Sequence, residues 1–246
     1  MNRSVAFAAA ALLVALAAAL PATGKPQVRY RQGWAAYPWA RYAAMAGPSC
    51  LAELARRGVR AAQVDRAPGV RTPVRLPEGA GGVVYRTEAP THVRARHPGD
   101  VLDCRLALAL TDFSAVLRAR DVAEVLILSA WRPRPDALAH AGLPARPEIR
   151  HPGGLAVDIL RFGKVAEEGA PRVWLDVERD FGGAIGAPVC ASPPRGGPAT
   201  RELRGIVCEA ASRHLFTSIL TPSYDRAHKN HLHLEVTPGV QWELLR

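Results

Sequence analysis

The sequence predicts an α+β domain with a mostly antiparallel sheet and flanking helices. Three observations carry that expectation. Short β-branched runs interleave with amphipathic stretches, and no internal repeat is present. Glycine and proline number 21 each, which favours many loops and short strands over a helical bundle. Apolar residues make up 48% of the 246, enough to bury a core and too many for a disordered chain, a collagen or a small disulfide scaffold.

The elements follow in order. Arg3, an unbroken apolar run from Val5 to Leu20, and the small residues Ala22 and Gly24 read as a secretory signal peptide over 1–24. As an uncleaved anchor the run is slightly short. No later run is long enough to span a bilayer, so no stable membrane span is expected after cleavage, and the protein is expected to be periplasmic or secreted. An N-terminal extension over 25–48 then leads into one domain over 49–246. Ser49 is positioned to cap a helix over 50–57 that Gly58 ends, and strands are expected at Val74 and over 82–87. Asp103 is the expected cap of the longest helix, where Leu106, Leu110, Phe113 and Leu117 recur at helical spacing and form one apolar stripe. A buried strand over 122–129 follows, then a long Pro/Arg/Ala loop to Arg150 and strands over 155–162 and 173–177. A helix over 200–214 carries Cys208, and the last strands are expected over 216–220 and 231–236.

Four cysteines in an exported chain, none spaced as CxxC, point to disulfides. Three connectivities are open. Pairing neighbours along the chain, Cys50 with Cys104 and Cys190 with Cys208, asks for the least rearrangement. The net charge of +10 is spread without a long basic run. Outside the membrane it suits anionic wall and envelope polymers better than nucleic acid, and a merely solvated basic surface accounts for it equally well.

The histidines carry the chemical signal. In the run from His231 to Val236, polar and apolar residues alternate, so strand geometry places His231, His233 and Glu235 on one face. In His151-Pro-Gly-Gly-Leu-Ala-Val-Asp158 a histidine precedes a strand that contains a carboxylate. Gly154, Ala156 and Asp158 share a face, and the two small residues are expected to leave room beside the aspartate. Should these strands be neighbours, His151, Asp158 and one histidine of the pair converge. Two imidazoles and a carboxylate with a fourth position free are what a catalytic zinc site requires.

The order Ser129-Ala-Trp-Arg132, the run from His151 to Asp158, and His228-Lys-Asn-His231-Leu-His233 resemble the extensin-like C-terminal domain family. That family belongs to the clan uniting lysostaphin, D-Ala-D-Ala metallopeptidases and hedgehog signalling domains. The resemblance covers roughly 48–238 and implies the D-Ala-D-Ala metallopeptidase, or hedgehog-like, fold for the domain over 49–246. It implies that Zn2+ is held by His151, Asp158 and His233, with His231 as general base. Arg132 then steadies the oxyanion or a substrate carboxylate. His228 matches a further active-site histidine of penicillin-insensitive murein endopeptidases, and it and Ser129 are expected just behind the ligands. Cys50, Cys104 and Cys208 also fall where extensin-like proteins have cysteines.

Departures from the family pattern are Ile149 in place of a frequent serine, Pro152 directly after the first ligand, Pro133-Arg134 where extensin-like sequences often have a cysteine nearby, and an unmatched loop from Trp131 to Arg150. All expected ligands remain. The favoured function is a zinc peptidase acting on peptide stems or crosslinks of peptidoglycan or its muropeptides, with no nucleic-acid partner. A noncatalytic wall-binding member of the same fold is the alternative. A secreted nuclease built on the His228 to His233 cluster is a third, for which His151 and Asp158 would be incidental.

Overall fold

The computed structural model describes residues 29–30, 33–134, 148–166, 170–190 and 196–246. The expected signal peptide and residues 135–147 of the long loop lie outside them. The first half contains β1 (Arg29–Tyr30), α1 (Pro38–Ala43), α2 (Gly47–Arg56), β2 (Ala62–Gln63), β3 (Pro73–Arg75), β4 (Val84–Thr87), α3 (Thr91–Arg94), β5 (Leu102–Asp103), α4 (Cys104–Arg118) and β6 (Val122–Ser129). The second contains β7 (Ala156–Lys164), β8 (Trp174–Asp176), α5 (Val177–Asp180), α6 (Pro198–Ser212), β9 (Ser218–Leu220), β10 (Leu232–Glu235) and β11 (Trp242–Leu245).

The class is α+β. One sheet of eight strands runs in the order β1-β11-β9-β10-β7-β6-β4, with β8 also on β7, and a three-stranded sheet joins β2, β3 and β5. Antiparallel pairing dominates as expected. Two pairs are parallel, β4 with β6 and β11 with β9. The C-terminal strand β11 was not expected, because Trp242-Glu-Leu-Leu shows no alternation and gains its place only by lying against β9 and β1.

Local signals explain most boundaries. The Asp103 carboxylate accepts the Arg105 backbone N–H at 3.0 Å and caps α4. Leu106, Leu110, Phe113 and Leu117 are all buried along that helix. Each such side chain contributes about 1.5–3 kcal/mol by leaving water. Both α2 and α6 begin two to three residues earlier than expected, because Pro48 and Pro198 fit the first turn, where a missing N–H costs nothing. Ser49 consequently sits inside the first turn of α2, donating to the Ala46 carbonyl at 2.9 Å, and Ala46 occupies the cap position. The stretch read as an extension is packed into the body from Trp39 onward: Trp39 and Tyr42 are buried, and Tyr42 donates to Asp112 on α4.

Helices α4 and α6 cover one face of the large sheet, where Val157, Ile159, Leu232 and Leu234 join the main core. Their neighbours in sequence, Asp158 and His233, therefore point from the opposite face. Disulfides join Cys50 to Cys104 and Cys190 to Cys208, tying α2 to α4 and the 181–190 segment to α6. Such bonds persist in oxidising compartments outside the cytoplasm. Among the described residues no helix is long and apolar enough to cross a membrane.

Candidate metal centre

Three adjacent strands build the centre. Asp158 on β7 is the register partner of His233 on β10 and of Ser129 on β6, so the three stand in one row across the sheet. His151 reaches the row from a 3-10 turn, His151–Gly153, that precedes β7. Pro152 fits the start of that turn for the reason it fits a helix start, which accounts for one of the departures noted above. Arg150, just before the turn, has φ 54° and ψ −145°, a conformation that costs a non-glycine residue about 1–3 kcal/mol. It turns the chain so that His151 faces the sheet while its own side chain stays exposed, 3.7 Å from Glu235.

Gly154 corrects one expectation. It does not open space beside the aspartate. Its φ is +64°, and a Cβ there would lie 2.8 Å from the Asp103 backbone nitrogen, so glycine is needed for the close approach of two chain segments. The Asp103 N–H in turn donates to the Gly154 carbonyl at 2.8 Å, tying the start of α4 to the turn that carries His151.

The donor atoms converge. Nε2 of His151 lies 3.1 Å from Oδ1 of Asp158 and 3.2 Å from Nδ1 of His233, and that Nδ1 lies 2.9 Å from the same carboxylate oxygen. The three side chains are buried and form a group whose donor atoms all lie within 4.8 Å of one another, a group that could hold a metal ion. The outward nitrogens decide which atoms are free. Nδ1 of His151 is 2.6 Å from the Ala130 carbonyl, which can only accept, so that nitrogen carries the proton and leaves a lone pair on Nε2. Nε2 of His233 is 3.3 Å from Oε2 of Glu235, which holds the proton there and turns the lone pair of Nδ1 inward.

Oδ2 of Asp158, buried and without a hydrogen bond, completes a donor set that fits a divalent cation. Arg132 places Nη2 3.1 Å from this oxygen as an ion contact and is half exposed at the rim. His231 precedes β10 and points the same way as His233. Its Nδ1 lies 2.8 Å from Oδ1 of Asn230, leaving Nε2 free, 3.5 Å from Oδ1 of Asp158. Nδ1 of His228 bonds Asp225 at 2.7 Å, and its ring lies 5.1 Å from that of His231. Ser129 is buried, its Oγ without a partner among the described residues.

Electrostatics follow from this packing. Burial pushes the Asp158 carboxyl up, but the imidazoles of His151 and His233, which donate to it whenever the inward nitrogen carries a proton in place of an ion, outweigh burial and hold the group below the ordinary carboxylate range. Burial pushes His233 down, while Asp158 and Glu235 on either side outweigh it and raise it above its usual value. A divalent cation held there would compete with a proton for the same lone pair on Nδ1 of His233. For His231 burial wins, and its imidazole sits below its usual value.

Every residue expected at the site lies in or against it. Sequence reasoning placed Glu235 on the right face but assigned it no role. Asn230 and Asp225, as anchors of the outer ring nitrogens of His231 and His228, carried no sequence signal beyond proximity, and the Ala130 carbonyl, 21 residues from His151, carried none. No family model, no curated protein and no solved structure matches the chain.

Proposed function

We propose that the protein is a zinc-dependent peptidase of the D-Ala-D-Ala metallopeptidase fold that cleaves peptide stems or crosslinks of peptidoglycan, in the periplasm or outside the cell. One observation carries this reading: the inward lone pairs of His151 Nε2 and His233 Nδ1 meet Asp158 Oδ1, with each outer nitrogen tied to an acceptor. A nitrogen–oxygen set of two imidazoles and one carboxylate suits zinc and leaves a position for substrate. The resemblance of these motifs to the extensin-like family supports the same assignment.

When bound, zinc would supply Lewis acidity, polarising the scissile carbonyl and acidifying water. The chain's own residues supply the rest. His231, whose free Nε2 faces the centre, takes a proton from the attacking water and returns it to the leaving amine. Arg132, exposed on the side facing solvent and fixed near Asp158, binds the carbonyl oxygen as negative charge develops there, or the free carboxylate of the peptide. His228, steadied by Asp225, packs against the His231 ring and limits its rotation. The surplus of basic residues attracts the protein to an anionic wall.

The test is incubation of the zinc-loaded protein with defined muropeptides, with products read by mass. Each bond cleaved adds one water, and Asp158→Ala gives no product. Wall binding with no turnover by the zinc-loaded protein would replace this reading with that of a noncatalytic wall-binding member.

A further inference from the structure

A second site lies on the other side of the large sheet from the metal centre. The edge strand β4, the small sheet of β2, β3 and β5, and helix α4 enclose a cavity of about 560 Å³. Its floor is apolar: Leu76, Tyr85, Leu102, Leu110 and Ile127 are all buried side chains that line it. This volume is of the size that binds small organic molecules. None of its lining residues belongs to the metal centre.

The charges around the floor are unequal in availability. Asp100 has both oxygens engaged by Thr87, one by its backbone N–H at 2.8 Å and one by its hydroxyl at 3.0 Å. Arg86 is paired with Glu124. Arg75 and Arg94 differ from both. Arg75 donates only through Nη1, to the carbonyls of Arg94 and His97 at 3.2 and 2.7 Å, and these fix its guanidinium in place. Arg94 donates through Nη2 to Thr91, and its Nε is buried with no hydrogen-bond partner. Among the described residues neither makes a salt bridge. Nη2 of Arg75 and Nη1 of Arg94 make no hydrogen bond among the described residues and leave donors for a ligand. With Arg86 neutralised by Glu124, two arginines, Arg75 and Arg94, face two aspartates, Asp65 at the mouth and Asp100, whose oxygens Thr87 already occupies, so the remaining guanidinium donors leave room for one carboxylate. That arrangement suits a monoanion, and a dianion would meet the two aspartates.

We propose that this cavity binds a medium-chain aliphatic carboxylate, its head group held by Arg75 and Arg94 and its chain lying on the apolar floor. A guanidinium offers two parallel donors to a carboxylate, and the apolar floor rewards the chain in proportion to the area it removes from water. The assignment is independent of the metal and of peptidase activity.

Isothermal titration of the full-length protein with octanoate tests it. The expected result is saturable binding of one octanoate per chain, with octanol at least tenfold weaker because it lacks the charge. Arg94→Gln and Arg75→Gln should each weaken octanoate by about tenfold, the loss of one charge-assisted contact. Because Arg75 also holds two backbone carbonyls, Leu76→Trp supplies a variant that leaves both arginines intact. Leu76 is a buried side chain of the floor, and an indole there fills the space, so octanoate binding should vanish while far-UV circular dichroism and zinc content stay unchanged. No saturable heat at millimolar octanoate would overturn the proposal. So would equal affinity for octanol, or octanoate affinity unchanged in all three variants.

Discussion

His233 and Asp158 are register partners on the antiparallel strands β10 and β7, with Nδ1 of one 2.9 Å from Oδ1 of the other. The contact joins residues 75 positions apart and lies on the sheet face turned away from the helices. Because main-chain pairing fixes both ends, the two donors stay aimed at one point without help from loop residues. That rigidity is what a metal site needs from its scaffold.

Alanine at His151, Asp158 or His233 should therefore each empty the centre. Elemental analysis of the purified variants measures zinc per chain. Full stoichiometry in any two of the three would remove the assignment. Zinc should also raise the melting temperature of the parent protein and leave that of Asp158→Ala unmoved, since only a state that binds the ion is stabilised by it.

His231 and His233 should separate by role. His231→Ala is expected to retain zinc and lose on the order of 10² to 10⁴ in turnover, the usual contribution of a general base. His233→Ala is expected to lose both. Should His231→Ala empty the site and His233→Ala keep the ion, the two roles are exchanged.

Glu235 should tune the centre without touching the ion. Its buried carboxylate orients His233 from behind and accepts the Thr237 hydroxyl as well. Glu235→Ala is expected to weaken zinc binding by about 10- to 100-fold, and Glu235→Gln, which keeps an acceptor, to restore most of it. Competition titration with a chromophoric chelator reads both. Equal affinity in Glu235→Ala and the parent would show that His233 needs no support.

Arg204 bears on stability alone. This buried guanidinium has no carboxylate partner among the described residues and donates to the carbonyls of Phe181, Gly182 and Pro188, holding the segment that ends in Cys190. Arg204→Met leaves those carbonyls without donors and should cost about 3 kcal/mol in urea unfolding. Zinc content should not change. A loss below about 0.5 kcal/mol would mean that water replaces the guanidinium at no cost.

Several features were legible in the chain because they depend on neighbours a few residues away. The strand Val122–Ser129 matches its expected bounds, and Asp103 caps α4. Alternation put His231, His233 and Glu235 on one face, since side chains of a strand point to opposite sides in turn. The stripe on α4 named four core residues before any packing was known. Each of these follows from backbone geometry that the residue types themselves favour.

Other features depended on contacts between distant segments, and no local pattern encodes them. Alternation cannot say which strand lies beside β10 or in what register, and a shift of one residue would have turned His233 into the core. Packing of α4 and α6 against Val157, Ile159, Leu232 and Leu234 selects the register that pairs His233 with Asp158. The same holds for the parallel β11, for Trp39 and Tyr42, buried although they lie in a segment that read as an extension, and for Gly154, required by the backbone of Asp103. Sequence alone named the side chains of the candidate centre and the face that His231, His233 and Glu235 share. The tertiary structure decided that they meet, and which nitrogen of each imidazole is free, because those outcomes are set by the burial of the whole core and by the side-chain and main-chain approaches it fixes, the Ala130 carbonyl beyond the end of β6 against His151 and the Glu235 carboxylate two residues along β10 against His233.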